Sequence, residues 1–334
     1  MAADYKKIIS DISKKTFAPV YLLCGEEPYY IDLISDFIED NVLSEDEREF
    51  NQSILYGRDT DVGKVIEYAK RFPMMSQYQV VIIKEAQDMK SIDELTTYVE
   101  KPLSSTILVL CYKYKKYDKR KALAKLVEKK GIYFESAKLY QDKVPTWITE
   151  FVNAKGYNIS PKATILLSDF LGTDLSKVAN EINKLFILIP KGSTITEEII
   201  EKNIGISKDY NFFEFQEALA SKNIEKANRI VNFFNSNPKE NPLVKIVPMT
   251  YGFFSKVLIC NSLPDKSQGS IASALGIAPF LTRDYIKATG NYSFAKLKEV
   301  ISILREFDLK SKGVNIGSTT GPDLMKEMVF RILH

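Results

Sequence analysis

Histidine is all but absent: the single one in 334 residues is His334, the last. Without imidazole inside the folded body, no Ser-His or Cys-His nucleophile, no histidine general base and no His-ligated metal site can be built. Cysteine is nearly as scarce. Cys24, Cys111 and Cys260 are odd in number, far apart and without a CxxC pair, which argues against a zinc cluster or a disulfide framework. Two of them sit in apolar, strand-like runs and read as buried, inert thiols of a reducing cytosol. No sign of charge dominates either, because 46 Lys+Arg against 43 Asp+Glu leave a net +3, too little to imply nucleic-acid or membrane binding over the whole surface. There is no secretory signal; Met1–Lys15 alternates charge with Ile8, Ile9 and Ile12 on one helical face. The longest apolar runs fall short of the ~20 residues a membrane span needs. Together these absences point to a soluble, cytoplasmic protein with no membrane contact and no resident metal or cofactor.

What is present is ordered. Up to about Glu135, short apolar runs at Val20–Cys24, Gln52–Tyr56, Val80–Lys84, Thr106–Cys111 and Ile132–Phe134 alternate with helical patterns at Tyr29–Asp40, Asp61–Arg71 and Lys119–Lys130. Strands apolar on both faces and separated by helices predict a parallel α/β sheet with right-handed crossovers. Beyond Tyr140 the strand pattern stops. Helices are expected over Val144–Lys155, over Lys162–Phe170 after the Ser160-Pro161 cap, and after Asp174, where Leu175, Val178, Ile182 and Leu185 form one apolar stripe. A fourth starts at Thr196 and stops near Gly205. From Tyr210 the helices lengthen: Asn211–Ala220, Ile224–Asn235, Pro242–Asn261, Tyr292–Lys312 and Leu324–Leu333, with breaks at Asn237-Pro238, Asn241-Pro242 and Leu263–Gly269. The expected organisation is an α/β domain over 1–140, a small helical domain over 141–208 and an all-α domain over 209–334.

An α/β domain followed by a small helical one suggests a nucleotide-binding ATPase, so the turn after the first strand is the place to look. A phosphate-binding loop reads G-x-x-x-x-G-K-[ST]. Here the turn is Gly25-Glu26-Glu27-Pro28-Tyr29-Tyr30-Ile31-Asp32, with Tyr30 and Ile31 where glycine and lysine belong and Pro28 removing a backbone donor. The strand that should end in a magnesium-binding Asp, Val80–Lys84, runs into Glu85 as Lys84-Glu85 instead. Both motifs are missing, and the domain reads as ATPase-shaped without ATP chemistry.

With these residues in hand, the chain resembles the family of delta subunits of bacterial DNA polymerase III, the clamp-loader member that opens the sliding clamp. The resemblance runs almost end to end through Pro19–Asp32, Phe72–Gln87, Ile107–Leu126, Gly172–Leu185, Phe212–Ala220, Leu275–Asn291 and Leu304–Leu333. It implies an AAA+ ATPase-like parallel sheet with helices on both faces, then a helical lid, then a C-terminal helical collar that joins a five-subunit loader. It implies no catalytic site, so the chain would count with the nucleotidyltransferase only as a holoenzyme subunit. The implied partners are the beta sliding clamp, subunits of the gamma/tau and delta-prime type, and primer-template DNA inside the assembly.

The resemblance also implies a pair of exposed hydrophobic residues that bind the clamp. The matching segment is Arg71-Phe72-Pro73-Met74-Met75-Ser76-Gln77, with Met74 and Met75 on the pair and Phe72, two positions before it, a further candidate. Methionine is flexible and polarizable and suits an adaptable plug. The competing reading is that Phe72, Met74 and Met75 cap the core; under either reading Phe72 is expected to support the turn while the methionines protrude.

Two charged stretches stand out. Residues 113–130 carry nine Lys/Arg against Asp118 and Glu128, interleaved with Tyr112, Tyr114 and Tyr117. Lys113, Lys115, Lys116, Lys119, Arg120 and Lys121 are candidates for a phosphate-backbone contact, and a solvated helix face is the plainer alternative. The acidic stretch 39–49 reads as an exposed loop. Two other functions remain open: a stand-alone DNA-binding adaptor using 113–130, and a divergent AAA+ ATPase.

Overall fold

The computed structural model describes residues 4–207, 210–314 and 319–334. The chain divides into two compact units, Met1–Tyr140 and Gln141–His334. Both the short-helix region and the long-helix region lie in the second unit, and the boundary expected between them at 208/209 falls outside the described residues.

The first unit runs α1 (Tyr5–Ser13), β1 (Val20–Gly25), α2 (Pro28–Asn41), α3 (Glu45–Asn51), β2 (Gln52–Tyr56), α4 (Val62–Ala69), β3 (Gln79–Lys84), α5 (Thr96–Val99), β4 (Thr106–Lys113), α6 (Ala122–Lys130) and β5 (Ile132–Ser136). The strands form one parallel sheet in the order β2-β3-β4-β1-β5. Register aligns Leu22 with Leu110 on one side and Tyr133 on the other. Every residue of β1 is buried, as the apolar runs predict, because helices cover both faces. On one face Leu22, Val81, Ile83, Leu108 and Leu110 pack with Val65 of α4 and Leu123 and Val127 of α6. On the other, Tyr21, Leu23, Val80, Ile82 and Val109 pack with Ile8 and Ile12 of α1 and Ile31, Ile34 and Ile38 of α2. Cys24 and Cys111 are inside these layers, and burial pushes the Cys111 thiol up to about 11.

Three local expectations are corrected here. The acidic stretch 39–49 is not a loop: α2 runs through Asn41, and α3 starts at a Ser44/Glu47 capping box. The helix expected from Lys119 begins at Ala122, because Lys113 ends β4 and the residues between form an irregular connection. Asp61 is an N-cap rather than a helical residue.

The second unit contains α7 (Val144–Ala154), β6 (Asn158–Ile159), α8 (Pro161–Leu171), α9 (Leu175–Leu188), β7 (Thr194–Ile195) and α10 (Glu197–Ile204), then α11 (Phe212–Ala220), α12 (Ile224–Ser236), α13 (Leu243–Ser262), α14 (Gln268–Leu275), α15 (Thr282–Asn291), α16 (Phe294–Ser311) and α17 (Gly321–Leu333). The caps expected at Ser160 and Asp174 are made: each side chain accepts a backbone N–H, from Ala163 and Lys177 respectively. On α9, Glu181 and Lys184, three residues apart, pair at 2.7 Å. Strand structure does not stop at Tyr140, since β6 and β7 pair in parallel through Asn158↔Thr194 and Ile159↔Ile195.

Helices α11 to α17 share a core built on Phe215, Phe234, Phe254, Tyr292, Phe307 and Met328, all nearly or fully buried. Helices α14 and α15 occupy a stretch for which the sequence reading placed none. Helix α13 is long and apolar enough to cross a membrane, contrary to the expectation that no segment is. Its apolarity has another outlet: Ile246, Val247, Phe253, Phe254, Val257 and Cys260 are buried in the helical core.

Candidate functional site

The loop joining α4 to β3 carries the clamp-binding candidates. Phe72 and Met74 are 79% and 61% exposed, Met75 is fully exposed, and Pro73 is half-buried. None of the three hydrophobic side chains is buried in a core.

The loop is nevertheless held. Asn51, the last residue of α3 and fully buried, accepts the Met74 N–H on Oδ1 at 2.6 Å and donates Nδ2 to the Met74 carbonyl at 2.9 Å and the Glu47 carbonyl at 3.0 Å. Met75 takes a left-handed backbone, φ 52°. Glu47 is held below the usual carboxylate range by the Ser44 backbone N–H and by the Ser76 hydroxyl. At the loop's ends, Arg71 pairs with Glu67 at 2.6 Å and lies over the Tyr68 ring, while Tyr78 meets Phe17 edge-on. Neither Asn51 nor the exposed Phe50 beside it was singled out in the sequence. No local pattern marks them, since Asn51 meets a partner 23 residues away.

The second place of interest is the carboxyl end of the sheet, where α/β folds bind nucleotides. After β1 the backbone N–H groups are already used: Gly25 N–H goes to the Lys115 carbonyl at 3.1 Å, and those of Glu26 and Glu27 go to the Ser136 carbonyl at 3.0 and 3.5 Å. A Cβ at Gly25, where φ is 140°, would stand 2.0 Å from that same Ser136 oxygen. The side chain of Glu27 caps α2 by accepting the Tyr29 N–H. Asp32, which aligns with the magnesium-binding Ser/Thr of a phosphate loop, instead takes Lys113 Nζ at 2.7 Å. Lys113 also reaches Glu85 at 3.0 Å. Lys84 binds Ser35 Oγ at 2.8 Å, Asp36 at 2.7 Å and Glu39 at 3.4 Å. Burial by itself would depress Lys113, but Asp32 and Glu85 outweigh it and hold the ammonium above its ordinary value. Internal ion pairs fill the edge where a triphosphate would sit.

The basic segment is distributed differently from its linear charge count. Lys113 is buried, so it leaves the group of candidate phosphate contacts. Lys119 and Lys116 share Glu135 at 3.0 and 3.7 Å. Arg120 forks onto Asp118, with Nη2 at 2.8 Å, and Lys121 meets Asp93 at 2.7 Å. Lys115 is exposed and makes no ion pair among the described residues. No group of three or more metal-ligating side chains occurs among the described residues.

The strand order and the helices on both faces define the first unit as an AAA+-like module, here joined to a helical C-terminal unit. Comparison with known families names the module's kind. Residues 21–137 match the family model for the DNA polymerase III delta subunit, and residues 209–325 match that for the delta subunit's C-terminal domain. The chain belongs to the DNA polymerase III delta subunit family and is a clamp-loader component of DNA replication, not a polymerase catalytic subunit. DNA polymerase III subunit delta of Bacillus subtilis is 24% identical over 313 residues, covering 90% of each chain. A solved structure of the Bacillus subtilis DNA clamp loader delta protein is 21% identical, covers 99% of each chain and superposes with a TM-score of 0.54, which shows a shared fold.

Proposed function

We propose that this chain binds the ring-shaped sliding clamp through Phe72, Pro73, Met74 and Met75 and opens it within the loader, without itself binding or hydrolysing ATP. The observation that carries this reading is the solvent exposure of three large hydrophobic side chains on one backbone-clamped loop. Exposed apolar side chains gathered at one place mark an interaction site. Burying the two methionines in a partner's pocket is worth roughly 3–6 kcal/mol at ~1.5–3 each, or about 10²–10⁴ in affinity. Subunits of the gamma/tau and delta-prime type would be the ATP-driven partners that gate access to this loop.

The test is clamp binding by the purified chain against Met74→Ala/Met75→Ala. A tenfold or greater loss with circular dichroism unchanged supports the plug; equal binding moves the plug elsewhere, and no binding by either protein defeats the clamp-opener reading. The absence of ATP chemistry rests on the occupied N–H groups of Gly25, Glu26 and Glu27 and on the Lys113–Asp32 pair. Tight magnesium-dependent ATP binding by the isolated chain would overturn it in favour of a divergent ATPase. The stand-alone DNA adaptor is the less favoured reading, because carboxylates neutralise Lys116, Lys119, Arg120 and Lys121. The segment acts as a solvated face, with Lys115 the best placed for a contact to primer-template DNA in the assembled loader.

A further inference from the structure

Helix α3 inverts the usual arrangement of a surface helix. Among its seven residues the one apolar side chain, Phe50, is 62% exposed, and the one buried side chain, Asn51, is polar. A surface helix turns its apolar side chains toward the core and its polar ones to water, and α3 departs from that rule in both directions. The buried half of the inversion has its reason inside the chain, because Asn51 bonds the Met74 backbone through both its N–H and its carbonyl. The exposed half has no such reason: Phe50 stabilises nothing while it stands in water.

Helical geometry puts Phe50 beside the hydrophobic loop. Residues three and four apart share a helix face, with Cβ atoms about 5–6 Å from each other. Glu47 and Asn51 are four apart and both bond the loop, Glu47 through the Ser76 hydroxyl and Asn51 through the Met74 backbone. The loop backbone therefore follows the Glu47–Asn51 face. Phe50, three residues from Glu47 and next to Asn51, stands at the edge of that face, beside the backbone that carries Met74 and Met75. Two segments distant in sequence thus expose large apolar side chains at one place, the mark of a single interaction surface.

The margin of this surface is acidic. Asp46, four residues before Phe50 on the same face, and the adjacent Glu49 are both exposed. Arg48, the one basic residue of α3, is drawn instead to Asp40 at 3.7 Å. Asp46 in the first turn suits the helix dipole, whereas Glu49 in the last turn opposes it, so the helix gains nothing from that carboxylate. A surface that covers Phe50 has to be apolar at its centre and basic at its rim.

We propose that Phe50 is a further contact to the sliding clamp, packing beside Met74 and Met75, and that the clamp surface it meets carries a basic margin facing Asp46 and Glu49. The inference rests on the reading that the loop at 72–75 binds the clamp, and it extends that contact onto α3.

Clamp affinity of the full-length chain tests it, with Phe50→Ala, Glu49→Lys and Met74→Ala/Met75→Ala compared with wild type. Phe50→Ala is expected to weaken binding about tenfold, the scale for removing a phenylalanine side chain from a buried contact. Glu49→Lys is expected to weaken it severalfold, chiefly through slower association; unchanged or tighter binding overturns the basic margin. In Phe50→Ala the melting temperature and the hydrogen exchange of the Met74 amide are expected to stay at wild type, since alanine favours a helix and the Asn51 bonds remain. Faster exchange at Met74 alongside the weaker binding would mean that Phe50 acts only through the loop, and overturns the contact. Binding by Phe50→Ala within twofold of wild type, while the methionine pair does weaken it, overturns this inference and leaves the loop reading standing. If neither variant weakens binding, both readings fail. If Phe50→Ala alters self-association of the chain or its affinity for gamma/tau-type subunits while the clamp binds as before, Phe50 serves another partner and the assignment to the clamp fails.

Discussion

Asn51→Ala tests whether the hydrophobic loop acts as a preorganised element. The substitution removes three hydrogen bonds, two to the backbone of Met74 and one to the Glu47 carbonyl. At ~1 kcal/mol net for each, local stabilisation falls by about 3 kcal/mol. These bonds oppose a left-handed Met75, whose backbone costs roughly 1–2 kcal/mol for a residue with a Cβ. Losing them therefore leaves the observed loop geometry a minority state. Since apparent affinity scales with the fraction of chains already in the binding geometry, clamp affinity should drop by about tenfold, with a ceiling near 10². Two readouts must move together: hydrogen exchange at the Met74 amide accelerates, and clamp affinity falls by a comparable factor. The reasoning is refuted if the amide loses protection while clamp binding stays within twofold of wild type, provided Met74→Ala/Met75→Ala does reduce binding. If that double substitution has no effect either, the failure belongs to the plug itself.

Gly25→Ala should destabilise the α/β unit by several kcal/mol, on the order of the larger core and backbone effects, because its Cβ would collide with the Ser136 carbonyl at 2.0 Å; a thermal melt reads this directly, and a near-wild-type midpoint would contradict it. Asp169, on α8, has its carboxyl pushed up to about 6 by burial, against the pull of Lys245 and Lys256. A raised folded-state value means the stability linked to this group is fully present below the unfolded-state value near 4 and is lost as pH rises through about 6. Asp169→Asn should flatten that decline and leave the protein more stable at pH 7.5 by on the order of 1–3 kcal/mol, measured by denaturant unfolding at pH 4.5 and 7.5; a destabilised variant at pH 7.5 would show that the carboxylate is needed charged.

Much of the architecture was legible in residue order because it rests on local physics. A parallel strand buried on both faces must be apolar at every position, so Val20–Cys24 and Thr106–Cys111 announce themselves. Ser160-Pro161 and Asp174 mark helix starts because a side-chain oxygen must meet otherwise unbonded N–H groups. The same logic, applied to Ser44 and Glu47, marks the start of α3; a run of like charge hid a capping box that local chemistry does contain. Two-residue strands such as β6 and β7 are too short to leave a period-two pattern. The 20-residue α13 passes the length and composition test for a membrane span because such a test does not see the helices that bury it.

The sites divide along a similar line. The missing phosphate loop is a matter of which residues stand at Gly25 to Asp32, and sequence alone determines it. Whether Phe72, Met74 and Met75 turn inward or outward depends on Asn51, 23 residues before Met74 in the chain, and on a backbone turn at Met75 that composition does not encode. The basic segment looks strongly positive in one dimension, yet Asp32, Glu85, Asp93 and Glu135 arrive from other elements to neutralise much of it. Local pattern determined the strands, most helix ends and the missing phosphate loop, because each depends on residues a few positions apart. Exposure and charge pairing were decided by tertiary structure, because they depend on groups the chain brings together from tens of residues away.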